Sequence, residues 1–154
     1  MRPYFFAIIG IFWVTTVHAN DGYFPKEITV INTNKPFSEY IKNLKTAIGE
    51  NKMGVVGEAC ATCGAKAIGI EIPENRVVMI FNPYFAVRML KASIPAGVEA
   101  PLRLYVIETK SGTAQLSYKK PSLVFAPYEN KDLNAMAMEL DVIFEQIISS
   151  AGSK

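Results

Sequence analysis

The sequence predicts an α+β fold with a mainly antiparallel sheet covered by helices on one face. Two alternating runs, 102–108 and 113–119, are joined by a short loop ending in Gly112, the signature of a hairpin. Three amphipathic segments stand apart from that hairpin instead of alternating regularly with strands. The chain, at 154 residues, has the length of one domain, and no repeat or linker-like tract divides it.

The elements follow in order. Residues 27–32 (EITVIN) are β-branched and alternate, which predicts a first strand. Asn34 is expected to cap a helix with Pro36 in its first turn, and Phe37, Tyr40, Ile41, Leu44 and Ile48 recur at helical spacing. Lys42 and Lys45 fall on the wet face, and Gly49 and Gly54 close the unit. A second strand is expected at 53–58, and 59–76 is taken as irregular, with CATCGAKA suggesting a short helical turn and IGIEIPENR a loop carrying a proline. The apolar run 77–81 (VVMIF) meets Asn82-Pro83, a cap residue followed by a first-turn proline, so a strand should run directly into a helix. That helix, 83–93, is expected to bury Phe85, Ala86, Met89 and Leu90 and to end at Pro95 and Gly97. In the hairpin Leu102, Leu104 and Val106 share one face, and Arg103, Tyr105 and Ile107 the other. SLVFAPY, broken by Pro127, is expected to be a docked loop. A last helix, 131–150, carries the stripe Leu133, Met136, Leu140, Ile143, Phe144 and Ile147.

The N-terminus is expected to be a secretory signal peptide, residues 1–19, leaving a single α+β domain at 20–154. Arg2 precedes an apolar stretch from Tyr4 to Val14, and Val17-His18-Ala19 forms a small-x-small cleavage site before Asn20. The apolar core is about a dozen residues, short of the ~20 that a membrane-spanning helix needs. No other segment is long and apolar enough to span, so the expected location is periplasmic or secreted. Cleavage would remove Trp13, Arg2 and His18, the one histidine. Without imidazole, Ser-His-Asp triads, Cys-His pairs and His-containing zinc sites are excluded.

Composition narrows the partners. Half the residues are hydrophobic and 19% are charged, against roughly 25% charged in ordinary soluble proteins, which argues against disorder. A net charge of +2 lacks the basic footprint of a nucleic-acid binder.

One motif carries possible chemistry. Cys60-Ala61-Thr62-Cys63-Gly64 sets two thiols three positions apart. As a disulfide it closes a very short ring; as a labile thiol pair it would serve redox chemistry; as two thiolates it would hold a soft ion such as Cu(I). Gly64 stands where a c-type haem site needs histidine, and two ligands are missing for tetrahedral zinc. Arg103, with Tyr105 nearby and Tyr118 on the next strand, is a candidate site for a carboxylate or phosphate ligand, set against an ion pair with Glu99 or Glu108. Tyr84, Phe85, Phe125 and Tyr128 read as core packing in preference to a pocket lining. Met79, Met89, Met136 and Met138 read as core filler in preference to a copper-thioether set. Glu58, Glu71 and Glu74 lie in or beside the irregular segment, with no spacing that demands acid-base catalysis. No nucleophile elbow and no glycine-rich phosphate loop is present, and no catalytic residue is assigned.

The strings VVMIFNPYFAVRML and APLRLYVIETKSGTAQLSYKKPS, followed by the final helix, resemble the family catalogued as domain of unknown function 302. Phe81-Asn82-Pro83, Pro101-Leu102-Arg103 and Gly112 with Ser117-Tyr118 carry the match. The resemblance implies a curved antiparallel sheet backed by helices, of the TATA-binding-protein class, often dimeric, and it implies no activity. Many members carry an Asp-His pair after the second strand; Glu58-Ala59-Cys60 stands here, so no role for that histidine carries over. The expected function is that of a non-enzymatic exported domain binding a small ligand or a protein, with a homodimer through the sheet as one partner. The alternative is a thiol-based redox or copper-handling accessory protein using Cys60 and Cys63.

Overall fold

The computed structural model describes residues 24–154; the expected signal peptide and its cleavage point lie outside the described residues. The strands are β1 (Ile28–Pro36), β2 (Gly54–Ala59), β3 (Asn75–Phe81), β4 (Leu102–Glu108) and β5 (Thr113–Lys119). They form one sheet in the order β1-β5-β4-β3-β2, and every neighbouring pair is antiparallel. The helices are α1 (Phe37–Glu50), α2 (Ala61–Ala67), α3 (Pro83–Ala92), α4 (Pro121–Phe125) and α5 (Lys131–Ser153). Two 3-10 turns, Ile94–Glu99 and Ala126–Tyr128, follow α3 and α4. The architecture is the expected α+β one.

The core lies between the sheet and a helix layer led by α1 and α5. Val78 and Ile80 of β3, Leu104 and Val106 of β4 and Leu116 of β5 are buried together with Tyr40, Leu44 and Ile48 of α1 and Leu133, Leu140, Phe144 and Ile147 of α5. These are the alternate strand positions and the 3.6-spaced helix positions that the sequence pattern offers. Tyr118 turns into the same layer, its ring centroid 5.6 Å from that of Phe144. The opposite sheet face carries Val30, Arg103 and Tyr105 to solvent.

Five expectations need correction. Asn34 does not cap α1: it takes a left-handed φ of 55°, and β1 continues to Pro36. Pro36 is the cap residue without a side-chain bond, and Gly112 O accepts from Phe37 N–H at 3.3 Å instead. The stretch 59–76 contains α2, with the Cys60 side chain accepting from Cys63 N–H, and the first residues of β3. SLVFAPY is helical, because Pro121 starts α4 from a position that needs no N–H and Asp141 Oδ1 accepts from Ser122 N–H at 2.9 Å. Leu90 is exposed, since α3 docks through Met89 and Phe85 while the following 3-10 turn brings Gly97 against Leu90. Met79 is half-buried on the face opposite Val78 and Ile80 and lies over Gly57, away from the core that holds Met89 and Met136.

Asn82 works as the pattern predicts. Its Oδ1 accepts from Tyr84 N–H at 2.8 Å, and its Nδ2 donates to Lys52 O at 2.7 Å, tying the start of α3 to the turn before β2.

Candidate functional site

The hairpin builds the main candidate. Thr109 N–H donates to Thr113 O, Gly112 N–H donates to Thr109 O, and Gly112 holds φ +78°, a conformation that favours glycine. This closes a three-residue loop and pairs Glu108 with Ala114 and Tyr105 with Ser117. The β4–β5 pairing ends there, short of Arg103 and Lys119. On the neighbouring strands Met79 pairs with Arg103, Val77 with Tyr105, Val30 with Ser117 and Ile28 with Lys119. The outward face therefore carries one continuous row of Val30, Ser117, Tyr105 and Val77, and beside it the separate pairs Ile28–Lys119 and Arg103–Met79.

Over the end of these rows lies a cavity of about 510 Å³. Arg103, Tyr105, Ser117 and Lys119 line it from the sheet, and Phe24, Glu99, Val124 and Pro127 from the surrounding segments. Such a volume falls within the roughly 300–1,000 Å³ of small-molecule sites. Among the described residues the side chains of Arg103, Lys119 and Ser117 have no hydrogen-bond or ion-pair partner. Ser117 is nonetheless 3% exposed. Glu99 is occupied: its Oε1 accepts from Tyr128 Oη at 3.0 Å, and burial, together with this bond, holds the Tyr128 phenol above its ordinary pKa. The ion pair weighed for Arg103, with Glu99 or Glu108, is not formed.

The sequence candidates divide. Arg103 and Tyr105 stand exposed at the cavity, while Tyr118 borders it with its ring committed to the core. Burial raises the Tyr118 phenol pKa, and Lys120 lowers it in part. Sequence reading missed Ser117 and Lys119; the alternation of β5 places both on the outward face, but their neighbours depend on a register that the sequence leaves open. Of the other aromatics, Phe125 is in the core and Tyr84 is 80% exposed, outside both readings made for it.

Cys60 and Cys63 form a disulfide with Cα atoms 5.2 Å apart. Cys60 precedes α2, a helix with no buried residue, and Cys63 is exposed. Thr62 Oγ1 donates to Pro73 O at 3.1 Å and accepts from Asn75 N–H at 3.0 Å, fastening the excursion to the start of β3. Among the described residues no group of three or more His, Cys, Asp or Glu side chains is arranged to hold a metal.

The carboxylates near this excursion are engaged by cations. Arg76 Nε lies 3.2 Å from Glu58 Oε1, Arg76 Nη1 lies 2.7 Å from Glu74 Oε2, and Lys45 pairs with Glu58. Glu71 is exposed and outside this network. No helix among the described residues is long and apolar enough to cross a membrane.

The chain is similar to a known family and to solved structures. The family described as "Domain of unknown function DUF302" matches residues 28–151. The crystal structure of an uncharacterized conserved protein DUF302 from Bacillus stearothermophilus is similar, with a TM-score of 0.74 at 17% identity, covering 82% of this chain and 99% of that one. No curated protein matches.

Proposed function

The chain belongs to the DUF302 family, and we propose that this member is an exported, non-enzymatic domain that binds a small ligand in the cavity over β4 and β5. The cavity itself carries the reading: about 510 Å³ of space meets two cations without partners among the described residues, the Ser117 hydroxyl and an exposed tyrosine ring. Polar groups left unpaired beside a concave surface are what a ligand would satisfy. Export rests on the pattern of residues 1–19, and mass spectrometry of the exported chain should find Asn20 first.

The test is a thermal-shift screen of small metabolites on the purified chain, repeated with Tyr105→Ala. The reading requires hits that raise the midpoint and lose the effect in the variant. A screen without hits, or hits indifferent to Tyr105, sinks it. Sedimentation at rising concentration tests the homodimer: a dimer through the sheet should dissociate when Val30 or Tyr105 becomes aspartate.

A second reading is favoured by the exposure of Cys63 on a helix that buries nothing, where opening the disulfide leaves the core intact. In it Cys60 and Cys63 undergo thiol–disulfide exchange or, once reduced, hold Cu(I). Thiol titration against a dithiol and a Cu(I) competition assay, each repeated with Cys60→Ser, decide it. A pair that stays oxidised in mild dithiol and takes up no copper after forced reduction removes this reading.

A further inference from the structure

Arg103 of β4 and Lys119 of β5 both line the cavity, beyond the last β4–β5 pair, Tyr105 with Ser117. Two positive charges on one concave surface favour an anionic occupant. Among the described residues no acid pairs with Arg103 or Lys119, and the one carboxylate in the cavity lining, Glu99, is held by Tyr128. Much of the remaining lining is apolar: Phe24, Ile28, Leu102, Val124 and Pro127, beside the ring of Tyr105. Ser117 adds a hydroxyl to the same lining.

Resting on the reading of the cavity as a ligand site, we infer that its ligand is an amphiphilic oxyanion. The head, a carboxylate or a phosphate monoester, sits between Arg103 and Lys119. The Ser117 hydroxyl donates to it, and its apolar body lies along Tyr105, Ile28 and Val124. The guanidinium fork presents paired donors to such a head and the ammonium a point charge, so one anion pairs both cations. The apolar lining supplies the area that a free inorganic ion would leave unused.

The test uses isothermal titration of the purified chain with octanoate, octyl phosphate, 1-octanol, octylamine and inorganic phosphate. Octanoate or octyl phosphate should bind, octanol at least tenfold more weakly, octylamine not at all and inorganic phosphate more weakly than octyl phosphate. Arg103→Gln and Lys119→Gln should each weaken the anionic probe by about tenfold or more, as charge-assisted bonds of this kind do. Added salt should weaken it in the wild type. If octanol binds as well as octanoate and the glutamine variants bind normally, the anion assignment is wrong while the cavity reading stands. If inorganic phosphate matches octyl phosphate, the apolar half is wrong. If no probe binds and the broad screen with Tyr105→Ala is also empty, both fall together.

Discussion

Replacing Tyr40 by Phe should stabilise this protein. Tyr40 lies on the buried face of α1 with 1% of its surface exposed, and its hydroxyl has no hydrogen-bond partner. An unpaired buried hydroxyl costs about 1–3 kcal/mol relative to the solvated unfolded chain. Removing it leaves a void of about 10 Å³, which at 24 cal/mol per Å³ costs about 0.2 kcal/mol. The net expectation is a gain of about 1–2 kcal/mol at pH 7, read as a higher urea midpoint with an unchanged slope, or about 4–8 °C in Tm. Burial, with a smaller contribution from Tyr118, pushes the Tyr40 phenol pKa up to about 12, against 10.0 ordinarily. The folded state therefore holds this proton more tightly than the unfolded one. Its contribution is complete below pH 10 and is lost as pH rises from 10 through about 12, amounting to about 3 kcal/mol for two units. The stability gap between Tyr40→Phe and the wild type should widen over that window. A variant less stable than the wild type at pH 7, or two pH profiles that run parallel, would refute the reasoning and indicate that the hydroxyl has a partner such as an enclosed water.

Three further perturbations test the frame around the cavity. Asn82→Ala removes both the cap on Tyr84 N–H and the bond to Lys52 O, so urea unfolding should show a loss of about 1–2 kcal/mol, with Asn82→Asp recovering the cap share. Gly57→Ala would place a Cβ 2.7 Å from Met79 Cε, and its cost of about 1 kcal/mol should vanish in a Met79→Ala background, a coupling that a double-mutant cycle measures directly. The Cys60→Ser, Cys63→Ser double variant opens a ring of sequence separation 3, for which chain entropy supplies about 2 kcal/mol. A calorimetric loss much beyond that would mean that the disulfide organises the β2–β3 region as well.

Where an element buries a face, its pattern was readable in advance, and where it does not, no pattern exists to be read. The stripes of α1 and α5 and the alternation of β4 follow from what must enter the core: Leu44, Ile48, Leu140 and Phe144 on helices, Leu104 and Val106 on a strand. The helix α2 buries nothing, so its seven residues carry no apolar periodicity and looked irregular. Leu90 was misjudged for the complementary reason. Its spacing matches Phe85 and Met89, but no element covers its side of α3 except the turn at Gly97, a contact that depends on where the chain goes next. Pro36 and Asn34 share that dependence. Which of them ends β1 is settled by the β5 end of the hairpin, whose Gly112 O receives the Phe37 N–H.

The candidate site shows the same limit at the scale of one residue. Alternation alone puts Arg103 and Tyr105 on the outward face whatever strand lies beside them. Which residue faces Tyr105 depends on the loop: a four-residue loop at 109–112 would set it opposite Leu116, whereas the three-residue loop closed by Gly112 sets it opposite Ser117. The core enforces that choice. A shift of one residue would turn Tyr118 away from Phe144 and drive the Lys119 ammonium into the layer beneath α5, where an unpaired charge is far too costly. Burying the tyrosine and presenting Ser117 and Lys119 on the outward face are thus one structural decision, and the core contact of Tyr118 fixes which side chains the cavity receives.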